Sequence, residues 1–157
     1  MKLRIYTDGS CNLKNGKGGY AAIFVDEKDR IIDKIAGSDT RTTNNRMEMQ
    51  AFISSFQHAQ RNFNFTHVTF YSDSNYVVKG CNDWMSGWIL NSWRNSAGKP
   101  VKNQDLWVRM QEIVNCKSTS FRWVKGHADD PFNIKADELA SYLMHHPLEE
   151  DLLHSVD

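Results

Sequence analysis

The hydrophobic period of this chain switches from that of strands to that of a helix and back within its first 73 residues, and few architectures accept that order. "KLRIYTD" alternates apolar and polar positions, "GGYAAIFVD" is an apolar run bounded by glycines, and "RIIDKIAG" follows the charged turn "DEKD". Together these predict a three-stranded meander ending near residue 38. Residues 46–61 then place Met49, Phe52, Ile53, Phe56 and Ala59 on one helical stripe, and "HVTFYSD" returns to strand spacing. A helix between strands is a crossover, which lets the fourth strand run parallel to the first. Further on, "SNYVVKGC" predicts a short helix and "WMSGWILNSWRNSAGKPVKN" a protruding helix and loop. "QDLWVRMQEIVN" predicts another helix, "TSFRWVKGH" a fifth strand, and "DPFNIKADELASYLMHH" a last helix opened by Asp130 as N-cap and Pro131 at the first helical position. The pattern implies an α/β sheet covered by helices.

At 157 residues, 40% hydrophobic and 24% charged, the chain can bury one ordinary core without metal or disulfide staples. We expect a single domain over residues 1–146 and an acidic tail, "PLEEDLLHSVD", over 147–157. No apolar run approaches the roughly 18 residues of a membrane span, and "MKLRIYTDGS" lacks the apolar core of a signal peptide. A cytosolic location is therefore expected, and a monomer, since nothing in the sequence marks an oligomer surface. Cys11, Cys81 and Cys116 lie far apart, with no C-x-x-C spacing, so they suggest neither a disulfide framework nor a zinc site. Nineteen basic residues balance nineteen acidic ones, so any anionic partner must be held by local patches.

"IYTDGS" and "FYSDSN" share one plan: apolar residue, Tyr, hydroxyl residue, Asp, then small turn formers. Asp8 and Asp73 are each expected where a strand runs out, and an Asx turn or helix N-cap would explain either alone. If the first and fourth strands are parallel neighbours, however, both carboxylates lie at the carboxyl edge of the sheet, where open α/β sheets place their sites. Their charges repel unless a cation separates them. An all-oxygen donor set selects a hard ion, Mg²⁺ or Mn²⁺, over zinc. On a helical wheel Glu48 flanks the Phe52–Phe56–Ala59 stripe, and Asp137 flanks that of Phe132, Ala136, Leu139, Ala140 and Leu143. Each has a plainer reading: Asn45-x-x-Glu48 has capping-box spacing, and Asp137 sits beside an equally good surface acid, Glu138.

Taken in order, "YTDGSC", "TRTTNNRMEMQA", "YSDSNYV", "GKPVKNQDLW" and "WVKGHADDPFNIKADELA" resemble type 1 ribonuclease H of the bacterial kind, from about residue 3 to residue 145. The resemblance implies the ribonuclease H fold: a five-stranded mixed sheet in order 3-2-1-4-5, flanked by helices, with a protruding basic and Trp-bearing segment. It implies an endonuclease that hydrolyses the RNA strand of RNA–DNA hybrids with two Mg²⁺ ions, Mn²⁺ being a possible substitute, and leaves 5′-phosphate and 3′-hydroxyl ends. The family's metal-binding carboxylates fall on Asp8, Glu48, Asp73 and Asp137, and its loop histidine on His127. By the same resemblance Cys11, Asn44, Glu48 and Asn75 line the RNA strand, with Lys14 or Asn15 from the first loop. Arg41, Thr43 and Asn103 hold a phosphate of the DNA strand, and Trp84 and Trp88 face its sugars. Glycine and serine around these two tryptophans make poor core.

The chain also departs from the family pattern. Lys14 stands where bacterial members carry an RNA-contacting Asn, and the protruding segment has only Lys79, Arg94, Lys99 and Lys102 against Asp83. Fewer cations mean fewer phosphate contacts, so weaker hybrid affinity is expected. Asp129 replaces a common glycine after His127, Asp130 adds an acid, and Ile134 replaces one.

Overall fold

A computed structural model describes residues 1–126 and 129–146. Five strands, β1 (Lys2–Cys11), β2 (Gly18–Val25), β3 (Ile31–Asp39), β4 (His67–Ser72) and β5 (Thr119–Trp123), form one sheet in the order β3-β2-β1-β4-β5. β1 pairs antiparallel with β2 and parallel with β4, while β2–β3 is antiparallel and β4–β5 parallel. The meander and the crossover expected from the two periods are both present. α1 (Asn44–Asn62) makes that crossover, and α2 (Asn75–Lys79) and α3 (Met85–Leu90), joined by a π turn at Gly80–Trp84, begin the excursion between β4 and β5. α4 (Gln104–Asn115) and α5 (Pro131–His145) complete the chain, and Asp130 caps α5 by accepting from Phe132 N and Asn133 N.

Alternation along β1 divides the core. Leu3 and Ile5 join Phe24, Met49, Phe52, Phe70, Trp107 and Met110 in the large cluster beneath α1 and α4. Tyr6 points the other way, into a smaller cluster with Ile23, Val25 and Ala136 beneath α5. Tyr71 stacks on Tyr6 with ring centroids 4.7 Å apart, and Phe132 leans on Tyr6 at 5.2 Å. No helix of the described residues is long and apolar enough to cross a membrane.

Three local expectations change. β1 continues three residues past Asp8 because β2 goes on pairing with it to Cys11, whereas its parallel pairing with β4 stops at Thr7–Ser72. Asp8 therefore stands where one neighbour ends, in extended backbone, and makes no Asx turn. The cap of α1 is Thr43, whose hydroxyl accepts from Arg46 N at 3.2 Å, so Asn45 and Glu48 form no capping box. Trp88 also proves to be better core than its neighbours suggested: half-buried, it packs edge-on against fully buried Trp107 at 5.2 Å. Gly80 makes room for that indole, since a Cβ there would lie 2.0 Å from the Trp107 ring.

Candidate active site

The ends of β1 and β4 and the start of α1 meet over the carboxyl edge of the sheet. Asp8 has the same parity as Tyr6, so it belongs to the face covered by α5, while Glu48 comes from α1 on the opposite face. They meet because the parallel pairing has stopped and no strand separates them there. Oxygen atoms of Asp8, Glu48 and Asp73 all lie within 4.8 Å of one another. Asp137, on α5, adds a hydrogen bond to Asp8. His127 and the tail 147–157 lie outside the described residues.

Glu48 is fixed from both sides. Its Oε1 accepts from Gly9 N at 2.5 Å, and its Oε2 accepts from Ser72 Oγ at 3.2 Å. Neither bond involves the helix's own first turn, which disposes of a capping role. Gly9 is required by proximity: a Cβ on it would meet Glu48 N at 2.3 Å and Met47 C at 2.4 Å. Asp73 is likewise no cap, because Ser74 caps α2 by accepting from Val77 N at 3.2 Å. Trp123 Nε1 donates to the Asp73 carbonyl at 3.0 Å, tying β5 to the same corner. Sequence reasoning did not reach Gly9 or Ser72, although both lie in the two matched strand endings.

Asp8 and Glu48 are 4% and 6% exposed. Burial pushes the Asp8 carboxyl far above the usual range, and the negative charges of Glu48 and Asp73 push it the same way. Burial also raises Glu48, partly opposed by its hydrogen bonds with Asp8, Gly9 N and Ser72. Without a cation this corner therefore retains protons that ordinary carboxylates have lost at neutral pH. Three carboxylates converging with no nitrogen or sulfur donor among them fit a hard divalent cation.

The remaining predicted residues surround this corner. Asn44 Oδ1 accepts from Cys11 N at 2.6 Å, and the Cys11 thiol donates to the Thr42 carbonyl at 3.3 Å, so the two line one shallow cleft together with Thr43. Asn75 opens α2 and is exposed. In the first loop Lys14 is exposed, and Asn15 Oδ1 accepts from Lys17 N at 2.9 Å. Arg41 N donates to Asp39 Oδ1 at 3.1 Å. Asn103, in left-handed backbone at φ 60°, donates from Nδ2 to the Tyr76 hydroxyl at 3.2 Å. Trp84 is 39% exposed and lies 5.9 Å from Trp88 and 6.1 Å from Tyr76, which with Trp107 complete a cluster of four rings.

The family model for RNase H matches residues 1–144. A ribonuclease H of Hahella chejuensis is 44% identical over 139 residues, covering 88% of this chain and 90% of the relative, and one of Parvibaculum lavamentivorans is 42% identical over 138 residues, covering 88% and 89%. Among solved structures, a type 1 RNase H with the type 2 active-site motif superposes with a TM-score of 0.78 at 28% identity, over 95% of this chain and 74% of that one. The PFV RNase H domain shares the fold with a TM-score of 0.79 at 22% identity, over 93% and 96%. Sheet order, sequence relatives and family model agree, and the chain belongs to the RNase H family.

Proposed function

We propose that residues 1–146 form a catalytic domain that cuts the RNA strand of RNA–DNA hybrids, leaving 5′-phosphate and 3′-hydroxyl ends. The observation that carries this reading is the convergence of Asp8, Glu48 and Asp73 within 4.8 Å at the sheet edge of an RNase H family chain. A foamy viral protease-reverse transcriptase, 20% of whose chain shares this fold at a TM-score of 0.79, was solved in complex with an RNA/DNA hybrid. Two Mg²⁺ ions, or Mn²⁺ in their place, held by Asp8, Glu48, Asp73 and Asp137 would supply an activated water for in-line attack and neutralise charge on the leaving 3′ oxygen. Asp8, which neighbours Glu48, Asp73 and Asp137 alike, would be the carboxylate most engaged with the metal. Glu48 enters preoriented by Gly9 N and Ser72 Oγ, so little ordering is left to do when charge arrives. His127, following Gly126, relays a proton or assists product release.

Hybrid is distinguished from DNA by its 2′-hydroxyls and from double-stranded RNA by their absence on the other strand. Cys11, Asn44 and Asn75, with Lys14 or Asn15, are small or polar groups suited to reading the RNA strand. Arg41, Thr43 and Asn103 take a DNA phosphate, and Trp84 and Trp88 the neighbouring sugars. A purely binding module would gain nothing from buried carboxylates beside phosphates, which argues against a non-catalytic role. The reading includes a monomer in the cytosol, a reducing compartment that the free thiols of Cys11, Cys81 and Cys116 suit.

The test is the chemistry of the ends. Products should carry ligatable 3′-hydroxyls and 5′-phosphates, and Glu48→Gln should yield none. Cyclic 2′,3′-phosphate ends would instead show attack by the ribose and refute the water mechanism.

A further inference from the structure

Arg46 links two elements that lie 57 residues apart in sequence. Its Nη1 and Nη2 donate to the two carboxylate oxygens of Asp105 at 2.9 and 2.7 Å, a forked pair joining α1 to the first turn of α4. Nη1 also reaches Asn103 Oδ1 at 3.4 Å. The opposite end of that carboxamide, Nδ2, donates at 3.2 Å to the Tyr76 hydroxyl, which also accepts from Trp107 Nε1 at 3.0 Å. An asparagine just before a helix ordinarily caps it, yet Asn103 makes no side-chain cap bond to α4. Its amide is instead held sideways, at both ends. The backbone N–H of Arg46 meanwhile donates to Thr43 Oγ1 at 3.2 Å. One residue thus touches both Thr43 and Asn103.

We propose that Arg46 and Asp105 are positioning residues for a DNA-strand phosphate: the pair fixes the Asn103 carboxamide, and Arg46 does not itself bind the phosphate. The inference rests on the reading of Asn103 and Thr43 as phosphate holders. A guanidinium whose fork is already matched to a carboxylate has its charge and its geometry engaged. Asp105 stays ionised to do this, its carboxyl pulled down to about 2, chiefly by the hydrogen bonds from Arg46. Its side chain is 65% exposed, and pairs so exposed contribute little to stability. Orientation is what remains for this one to supply.

The rival role, a direct phosphate ligand, predicts the opposite sign at Asp105. If Arg46 bound phosphate, Asp105→Asn would free it and lower KM. If the pair positions Asn103, Asp105→Asn and Arg46→Lys each raise KM for hybrid about fivefold with kcat unchanged, because lysine keeps the charge but not the fork. Tyr76→Phe, which removes the other anchor, should shift KM the same way. The slope of log kcat/KM against log salt should stay at the wild-type value in Asp105→Asn, since no phosphate-bound cation is lost or gained. Asn103→Gly, chosen because glycine accepts the positive φ, should raise KM, and adding Asp105→Asn to it should do nothing further. Thermal unfolding checks that each variant is folded. A lower KM in Asp105→Asn overturns the proposal. A raised KM in Asn103→Gly with no change in Asp105→Asn or Tyr76→Phe overturns it while the phosphate reading stands, and no change in Asn103→Gly overturns both.

Discussion

Replacing Gly9 by alanine introduces one methyl group at the closest approach in the site. The new Cβ would sit 2.3 Å from Glu48 N, 2.4 Å from Met47 C and 2.7 Å from Met47 O. Carbon contacts are comfortable from about 3.5 Å, so β1 and the start of α1 must separate by about 1.2 Å. All three atoms are backbone, and no side chain can rotate aside. The Gly9 N to Glu48 Oε1 bond, 2.5 Å long, would open to about 3.7 Å and cease to be a hydrogen bond. Overpacking of this kind costs about 1–3 kcal/mol, and a lost hydrogen bond to a charged group costs about as much again. The combined loss, about 2–6 kcal/mol, should lower Tm by roughly 4–24 °C. A displacement of about 1 Å in a catalytic carboxylate is enough for a 100-fold loss in turnover. The assay is kcat on a labelled hybrid across a Mg²⁺ titration, beside thermal unfolding in EDTA. Gly87→Ala is the control, because a Cβ there meets nothing within 4 Å. A Gly9→Ala enzyme with wild-type kcat and Mg²⁺ dependence would refute the claim that this contact holds Glu48 in place.

The raised carboxyl pKa values of Asp8 and Glu48 mean that the metal-free folded state holds more protons than the unfolded chain. Stability in EDTA must then fall as pH rises from the ordinary carboxylate value of about 4 through neutrality, by about 1.4 kcal/mol per pH unit for each proton retained. Urea titrations should show a shallower fall for Asp8→Asn, making it the more stable protein at pH 8, and Mg²⁺ should flatten the wild-type curve; parallel curves for the two proteins would contradict this. His127→Ala should slow single-turnover cleavage by about 100-fold without abolishing it, the range of a single proton-transfer group. Trp84→Ala should raise KM for hybrid severalfold with only a small fall in Tm, since its ring meets Trp88 and Tyr76 at the surface. Trp88→Ala should raise KM and lower Tm more, because Trp88 packs on fully buried Trp107.

The sheet was legible because its determinants are local: the periods of β1, β2 and β3, the α1 stripe, and the Asp130–Pro131 start of α5. The two matched strand endings also mark Asp8 and Asp73, since parallel pairing of β1 with β4 is enough to bring both to one sheet edge. Glu48 was harder. A helical wheel places it beside the buried stripe but cannot show that Gly9, 39 residues earlier, lies within hydrogen-bond distance. Thr43 rather than Asn45 took the cap because the helix begins earlier than its apolar stripe, at Asn44. Small neighbours in sequence point Trp88 away from the core, but its packing partner, Trp107, lies on α4. The Arg46–Asp105 pair was not anticipated, because charges 59 residues apart carry no sequence signal of contact.

Most direct for the whole account is the cleavage of one labelled RNA strand presented as RNA–DNA hybrid or as double-stranded RNA, with a labelled DNA duplex alongside, each with Mg²⁺ and with EDTA. Internal cuts are expected in the RNA of the hybrid with Mg²⁺ and none in any other lane. Cleavage that survives EDTA, or equal cleavage of double-stranded RNA, would contradict the account.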